Sequence, residues 1–306
     1  MTETSLPSVT AVIPAHARPV ELRAAIEAVR SQEYGGDLDV LVVYDRAEPD
    51  MTLAAAGDRP VNVIANERTD GLAGARNTGI LAATGTLIAF CDDDDTWEPG
   101  KLAKQVAAFA TRPSAHLVTT AIVVDFDDHS TVRLAGTDTV EHAALVRSRM
   151  SMLHSSTLLF RASALRGELG LINEDIPGSQ NEDWDILLRS SAIHPISHID
   201  EPLVRVAWGR GSHFSRRWDT KIASSEWMLE HHPDVAADDP GAARLMGQIA
   251  FAHAASGNRR EALAWSRKAL RRRPLEWRAV VAAAVTPLPR SSEWVLNILH
   301  RFGRGV

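Results

Sequence analysis

Short, almost wholly apolar runs alternate with stretches of helical spacing along the first part of the chain. Residues 9–13 form one such run, closed by Pro14, and Pro19 then stands where the first turn of a helix tolerates it. Leu22, Ala25, Ile26 and Val29 follow at the spacing of one buried helical face. Residues 39–43 and 61–65 read as two further strands, 74–83 as a short helix, and 86–91 as a strand entered through Gly85. Apolar runs without alternation suit strands buried on both faces. Strand, helix and strand in short repetition predict an α/β fold with a mostly parallel sheet and right-handed crossovers. Leu102, Val106 and Phe109 stripe a helix that ends near Arg112, residues 117–124 are another strand, and the polar 125–133 a hairpin or turn. Residues 150–161 lead into a strand, Trp184, Leu187, Leu188 and Ser191 share a helical face, and 196–199 and 202–208 read as two closing strands.

From residue 240 onward the pattern is helical throughout. Residues 242–255, 260–271 and 277–285, with Gly257-Asn258 at a turn and Pro274 after the second segment, resemble a tetratricopeptide-type hairpin too short to form an array. The final segment, 292–302, sets Trp294, Val295, Ile298, Leu299 and Phe302 along one side. That face packs on the remainder of the chain, pairs two chains as a homodimer, or lies on a membrane. The division expected is a domain of residues 1–232 and a helical C-terminal module of 233–306.

Charge reinforces that division. The formal net charge is −6, yet residues 244–306 carry 12 Lys/Arg against Glu261, Glu276 and Glu293, a net of +9. Such a basic module meets an anionic partner or a membrane surface, or is simply a solvated set of helix faces. Composition otherwise excludes classes. Cys91 is the single cysteine, so no intramolecular disulfide and no cysteine-based zinc site can form. No apolar run reaches the roughly 18 residues of a membrane span. Residues 1–8 lack a basic segment followed by an apolar core. The expected setting is a reducing cytoplasm, in part at the inner face of a membrane.

Chemistry concentrates at strand ends. Asp92, Asp93, Asp94 and Asp95 follow the apolar 86–91 run directly. Four adjacent acids repel one another and call for solvent or a cation. Beyond the carboxyl end of a parallel strand they lie where open α/β sheets bind ligands. Carboxylate oxygens there suit Mg²⁺ or Mn²⁺ carrying a substrate diphosphate. Arg76 either presents its planar fork to such a ligand or pairs with Asp70 or Asp92. His154 either touches substrate or is a satisfied structural histidine. Farther along, Gly178, Ser179 and Asn181 enter a helix whose first turn holds Glu182 and Asp183, where unpaired amides and the helix dipole favour carboxylates. Side chains one residue apart diverge by about 100°, so one of the two aims into a site. Within the glycine-bearing 209–217 loop, His213 is a candidate phosphate or metal contact, and Arg210, Arg216 and Arg217 candidate phosphate partners.

Three ordered stretches carry a resemblance. Residues 12–19 (VIPAHARP), 71–79 (GLAGARNTG) and 88–97 (IAFCDDDDTW) look like the successive motifs of family 2 glycosyltransferases, over roughly residues 8–230. That resemblance implies the GT-A fold, a nucleotide-sugar donor with UDP-sugar foremost and dTDP- and GDP-sugars open, Mn²⁺ or Mg²⁺, and inversion at the anomeric carbon. It places Pro14, Ala15 and His16 at the nucleobase, Asp45 on its imide hydrogen, Arg76 beside base and phosphates, and Asp92 with Asp93 on the donor. Asp94 would hold the metal, with Asp95 the alternative one step along. Asp183, the second residue of Glu182-Asp183, would be the general base. Two departures stand out: Tyr44-Asp45-Arg46-Ala47 replaces the usual Asp-Asp-Gly-Ser, and His16 stands where an aromatic residue is common.

The implied activity is transfer of a sugar to a hydroxyl acceptor (saccharide, lipid-linked or small molecule), with no nucleic-acid partner. A sugar nucleotidyltransferase is the rival enzyme, but Ala15-His16-Ala17-Arg18 lacks the glycine-rich loop it ordinarily shows. A catalytically silent nucleotide-sugar binder or scaffold is the rival from another class.

Overall fold

The computed structural model describes residues 6–126, 129–208 and 217–287. His213, Arg210, Arg216 and the 292–302 segment lie outside the described residues. The chain divides into two compact units. The first takes the described residues up to 142 together with 150–174 and 182–208, and the second takes 143–149, 175–181 and 217–287. The expected boundary at 232/233 therefore falls inside the second unit.

The first unit is a mixed sheet flanked by helices. Its elements are β1 (Val9–Ala15), α1 (Pro19–Arg30), β2 (Leu38–Tyr44), β3 (Val61–Ala65), α2 (Leu72–Ala82), β4 (Leu87–Phe90), β5 (Thr96–Trp97) and α3 (Lys101–Thr111). Then come β6 (Leu117–Phe126), β7 (His129–Arg133), β8 (Thr139–Val140), β9 (Leu159–Arg161), α5 (Ala162–Leu165), α6 (Glu182–Ile193) and β10 (Ile196–Ala207), while α4 (His142–Arg147), between β8 and β9 in the chain, falls in the second unit from residue 143 on. The strand order is β3-β2-β1-β4-β9-β6-β10-β5, with β7 on β6 and β8 on β10. Neighbours among β3, β2, β1 and β4 run parallel, as do β6 and β10; the short β9 is antiparallel to both β4 and β6. Val9, Ala11, Val12 and Ile13 of β1 are fully buried, as continuous apolar runs predict for a central strand.

Two local expectations change. β1 does not stop at Pro14 but continues to Ala15, because β4 accompanies it only as far as Val12 and a residue without an N–H is tolerated beyond that point. The two closing strands are one, β10, whose register against β6 shifts between Ile199 and Val204, where Pro202 sits. Helix α2 lies close on β1: a Cβ built on Gly79 would come within 2.3 Å of Val12 Cγ1.

The second unit is helical. From residue 217 on its elements are α7 (Trp218–His231), the short α8 (Pro233–Ala237), α9 (Asp239–Ala255), α10 (Arg259–Arg272) and α11 (Trp277–Val285). Ala250, Phe251, Ala254, Ala262, Ala282 and Val285 form one apolar cluster among α9, α10 and α11. Asp238 caps α9 by accepting from Gly241 N at 2.8 Å. Among the described residues no helix is long and apolar enough to cross a membrane.

Candidate active site

The strand ends β1, β2 and β4 deliver the expected residues to one edge of the sheet. Pro14 and Ala15 are buried at the end of β1, and the exposed His16 places Nδ1 2.7 Å from the carbonyl oxygen of Asp45, to which the Nδ1–H tautomer donates. Asp45 is 6% exposed and accepts from Gly71 N, Asn66 Nδ2 (both 2.9 Å) and Arg46 Nε (3.0 Å). Burial would raise this carboxyl, but those donors outweigh it and hold it below the usual carboxylate range. A second network backs the same loop. Glu174 accepts from Arg68 Nε (2.5 Å), Asn77 Nδ2 (2.6 Å) and Thr69 N (3.4 Å), and against the effect of burial these donors bring its carboxyl down to about 2.

The four acids after β4 take different partners. Arg18 at the entry of α1 pairs with Asp93 at 3.1 Å and with Asp94. Asp94 is nonetheless pushed up to about 7, by burial first and then by Asp95 and Asp92, with Arg18 only partly offsetting them. Asp92 accepts from Ser155 Oγ at 2.8 Å and from Arg76, while its own N–H donates to Ser156 Oγ at 2.9 Å. Asp95 is 1% exposed, accepts from Ser156 Oγ at 2.6 Å and lies 3.3 Å from His154 Nδ1. Burial would lower His154, yet Asp95, Asp92 and Asp183 together raise it to about 9.

Asp92, Asp95 and His154 thus each offer a ligand atom, all within 4.8 Å of one another. Two carboxylate oxygens and an imidazole nitrogen form a donor set that a divalent cation fits, and its charge would relieve the repulsion expressed at Asp94. The grouping differs from expectation. Asp95, the alternative ligand, belongs to it; Asp94 turns to Arg18 instead, and His154 supplies the histidine.

Arg76 also departs from its expected place beside the donor. It is 0% exposed, and its two terminal nitrogens pair with Asp92 and Glu182 while Nε has no hydrogen-bond partner, with the Phe90 ring 5.4 Å away. The pairing alternative with Asp92 is therefore the one realised, extended to a second acid 106 residues from Arg76. Glu182 and Asp183 open α6 as the helical spacing predicts, 4% and 7% exposed. Burial, opposed by Arg76, pushes Glu182 up to about 7. The charge of Asp183 bears on both Arg76 and His154, so it stands in the same cluster, and its Oδ1 accepts from Trp184 N at 2.8 Å.

Residues 10–167, just over half of the chain, match the sequence model of glycosyl transferase family 2. The chain belongs to that family. The chain is 34% identical over 160 residues to the succinoglycan biosynthesis protein ExoO of Rhizobium meliloti (strain 1021), a match covering 51% of this chain and 44% of ExoO, less than half of that relative's length. Among solved structures, S. aureus TarS 1–349 in complex with UDP-GlcNAc superposes with a TM-score of 0.62 at 16% identity, covering 97% of this chain and 92% of that one. The mannosyltransferase PcManGT of Pyrobaculum calidifontis, in complex with GDP-Man and Mn²⁺, gives 0.57 at 19%, covering 95% and 88%. At such identities the likeness speaks for the fold, which is that of GT-A-like transferases.

Sequence reasoning passed over Arg18, Ser155, Ser156, Asn66 and Glu174 as site residues. Arg18 stands inside the 12–19 stretch and the Ser155-Ser156 pair directly follows the candidate His154; Glu174 carries no local signal.

Proposed function

We propose that this chain is an inverting glycosyltransferase that moves a sugar from a nucleoside diphosphate donor, a UDP-sugar foremost, to an acceptor hydroxyl. One observation carries the reading: the cation-fitting trio of half-buried Asp92 and His154 with buried Asp95 shares one cluster with Asp183 and the Arg76–Glu182 pair. The nucleotide-sugar complexes of TarS and PcManGT support the donor class. Pro14, Ala15, His16 and Asp45 are assigned to the nucleobase, with Asp45 held ionised to accept an imide hydrogen. Asp92, with Asp93 beside it, faces the donor. Asp92, Asp95 and His154 would hold Mn²⁺ or Mg²⁺, and a cation bound there supplies positive charge beside the departing diphosphate.

Asp183 is the general base. As the acceptor oxygen bonds to the anomeric carbon, the bond from that carbon to the phosphate oxygen breaks and its electron pair leaves with the diphosphate. The hydroxyl proton passes to the Asp183 carboxylate. A single displacement from the opposite face inverts the anomeric centre.

A panel of nucleotide sugars, scored for nucleotide release with and without Mn²⁺, tests donor and metal together. Release from one donor in the presence of Mn²⁺ is the expected result, and a product of opposite anomeric configuration should follow with acceptor. No turnover of any donor despite tight binding would leave a silent nucleotide-sugar binder, and a product of retained configuration would refute the single displacement.

A further inference from the structure

The outer face of α10 has no role in the reaction above. At about 100° per residue, Arg260, Arg267, Lys268 and Arg271 fall within an arc of about 100°, opposite the buried Ala262, Ser266 and Ala269. All four are exposed, and among the described residues none of them is in an ion pair. Their neighbours behave differently: Arg272 pairs with Asp239 at 2.9 Å and Arg273 reaches Glu276 at 3.8 Å. Helix stability does not explain the stripe. Cations are favoured in a last turn, where Arg271 stands, but disfavoured in a first turn, where Arg260 stands.

Exposed apolar side chains occur on and just beyond the same helix. Leu275, three residues beyond the end of α10, is 86% exposed, and Leu263 on the flank of the arc is 38% exposed. Lys268 lies 3.7 Å over the Trp265 ring, which itself packs on the apolar clusters of the helical unit and so anchors that cation at the edge of the face. A polynucleotide would satisfy the cations but would leave Leu275 in water. An anionic bilayer takes both, charge at the headgroups and leucine beneath them.

We infer that the outer face of α10, with Leu275, docks on an anionic lipid surface. This rests on the helical unit alone and not on the transfer reaction. It would bring the enzyme to acceptors borne on lipid.

Flotation of the full chain with vesicles tests it, using phosphatidylcholine alone and phosphatidylcholine mixed with phosphatidylglycerol, at low and high salt. Binding is expected to the anionic vesicles only and should fall steeply as salt rises. Each cation near an anionic leaflet contributes about fivefold to partitioning, so R260Q/R267Q/R271Q should lose roughly a hundredfold. R260K/R267K/R271K, which keeps the charge, should bind like the parent and so excludes misfolding as the cause. Leu275→Ala should cost several-fold without altering the salt dependence. No flotation at low salt overturns the inference, as does parental binding by the glutamine variant. Binding to a polynucleotide that is lost in the glutamine variant but indifferent to Leu275→Ala assigns the face to nucleic acid and overturns it as well.

Discussion

Replacing Arg76 by Met removes a guanidinium from a fully buried position while keeping most of the stem. In the parent this group bridges Asp92 and Glu182, whose side chains are 20% and 5% exposed. Deleting one member of a buried ion pair costs about 3–5 kcal/mol, because the remaining charge is left without compensation. Two acids lose their partner here, but one of them has an escape. Glu182 is already pushed up to about 7 by burial, and without Arg76 it would hold its proton at neutral pH. That places the expected loss near the lower bound, about 3 kcal/mol, a large part of a net stability of about 5–15 kcal/mol.

The sign of the pH effect follows from the same shift. A carboxyl raised in the folded state stabilises below its unfolded value of 4.5, and the contribution is lost as pH rises through about 7. The gap between parent and variant should therefore widen from pH 6 to pH 8. Urea unfolding followed by tryptophan fluorescence reads it: with a slope of about 3 kcal/mol/M the midpoint should drop by about 1 M. Adding Glu182→Gln to Arg76→Met should restore at least about 1 kcal/mol, since the chain no longer has to take up a proton at position 182 on folding. A single variant within about 0.5 kcal/mol of the parent, or a double variant no better than the single, would refute this account of the cluster.

Three further outcomes are expected. Asp183→Asn should leave nucleotide-sugar and metal affinity near parental while transfer falls roughly 10²- to 10⁴-fold; in steady-state kinetics, Glu182→Gln proving the more crippled of the two would move the base. Titration of Mn²⁺ followed by electron paramagnetic resonance should show weaker binding for Asp95→Asn and His154→Ala than for Asp94→Asn, which loses a partner of Arg18; the reverse ranking would return the metal to Asp94. Glu174→Gln should cost about 1 kcal/mol at pH 7. Because the folded carboxyl is lowered to about 2, that difference should be intact above pH 4.5 and fade as pH falls toward 2 in unfolding curves.

What the chain reveals on reading and what it conceals divide along physical lines. β1, β2 and β4 are legible because burial on both faces writes a nearly unbroken apolar run, whereas the edge strand β3 alternates buried Val61 and Val63 with exposed Asn62 and Ala65. β9 has three residues, and its antiparallel direction depends on the two strands that it joins rather than on its own composition. Pro202 reads as a break, yet a register shift absorbs it and leaves β10 continuous. The acids after β4 and the Glu182-Asp183 helix start were visible as spacing and motif. Their partners were not: Arg18 lies 76 residues from Asp94 and Arg76 lies 106 from Glu182. Such pairings are made by side chains brought together across the fold, and no periodicity records them. That is why Arg76 reads equally well as a ligand's fork or as an internal clamp until its burial is known.

The way the second unit is assembled from separate stretches bears on how the protein is made. Segments 143–149 and 175–181 belong with helices that end at residue 285. A ribosome adding about 5–20 residues per second needs roughly 5–20 s to pass from residue 181 to residue 285. For that interval the two early segments exist without the helices they join, while the sheet of the first unit is completed at β10. A nascent chain stalled once β10 has cleared the ribosome, but before the later helices have, should hence carry a finished sheet and two orphaned strips. For the same reason no single cut transfers the helical unit to another protein as a cassette. Recombination between relatives would have to move three stretches together, so this appendage is expected to diverge with its sheet rather than to be exchanged independently of it.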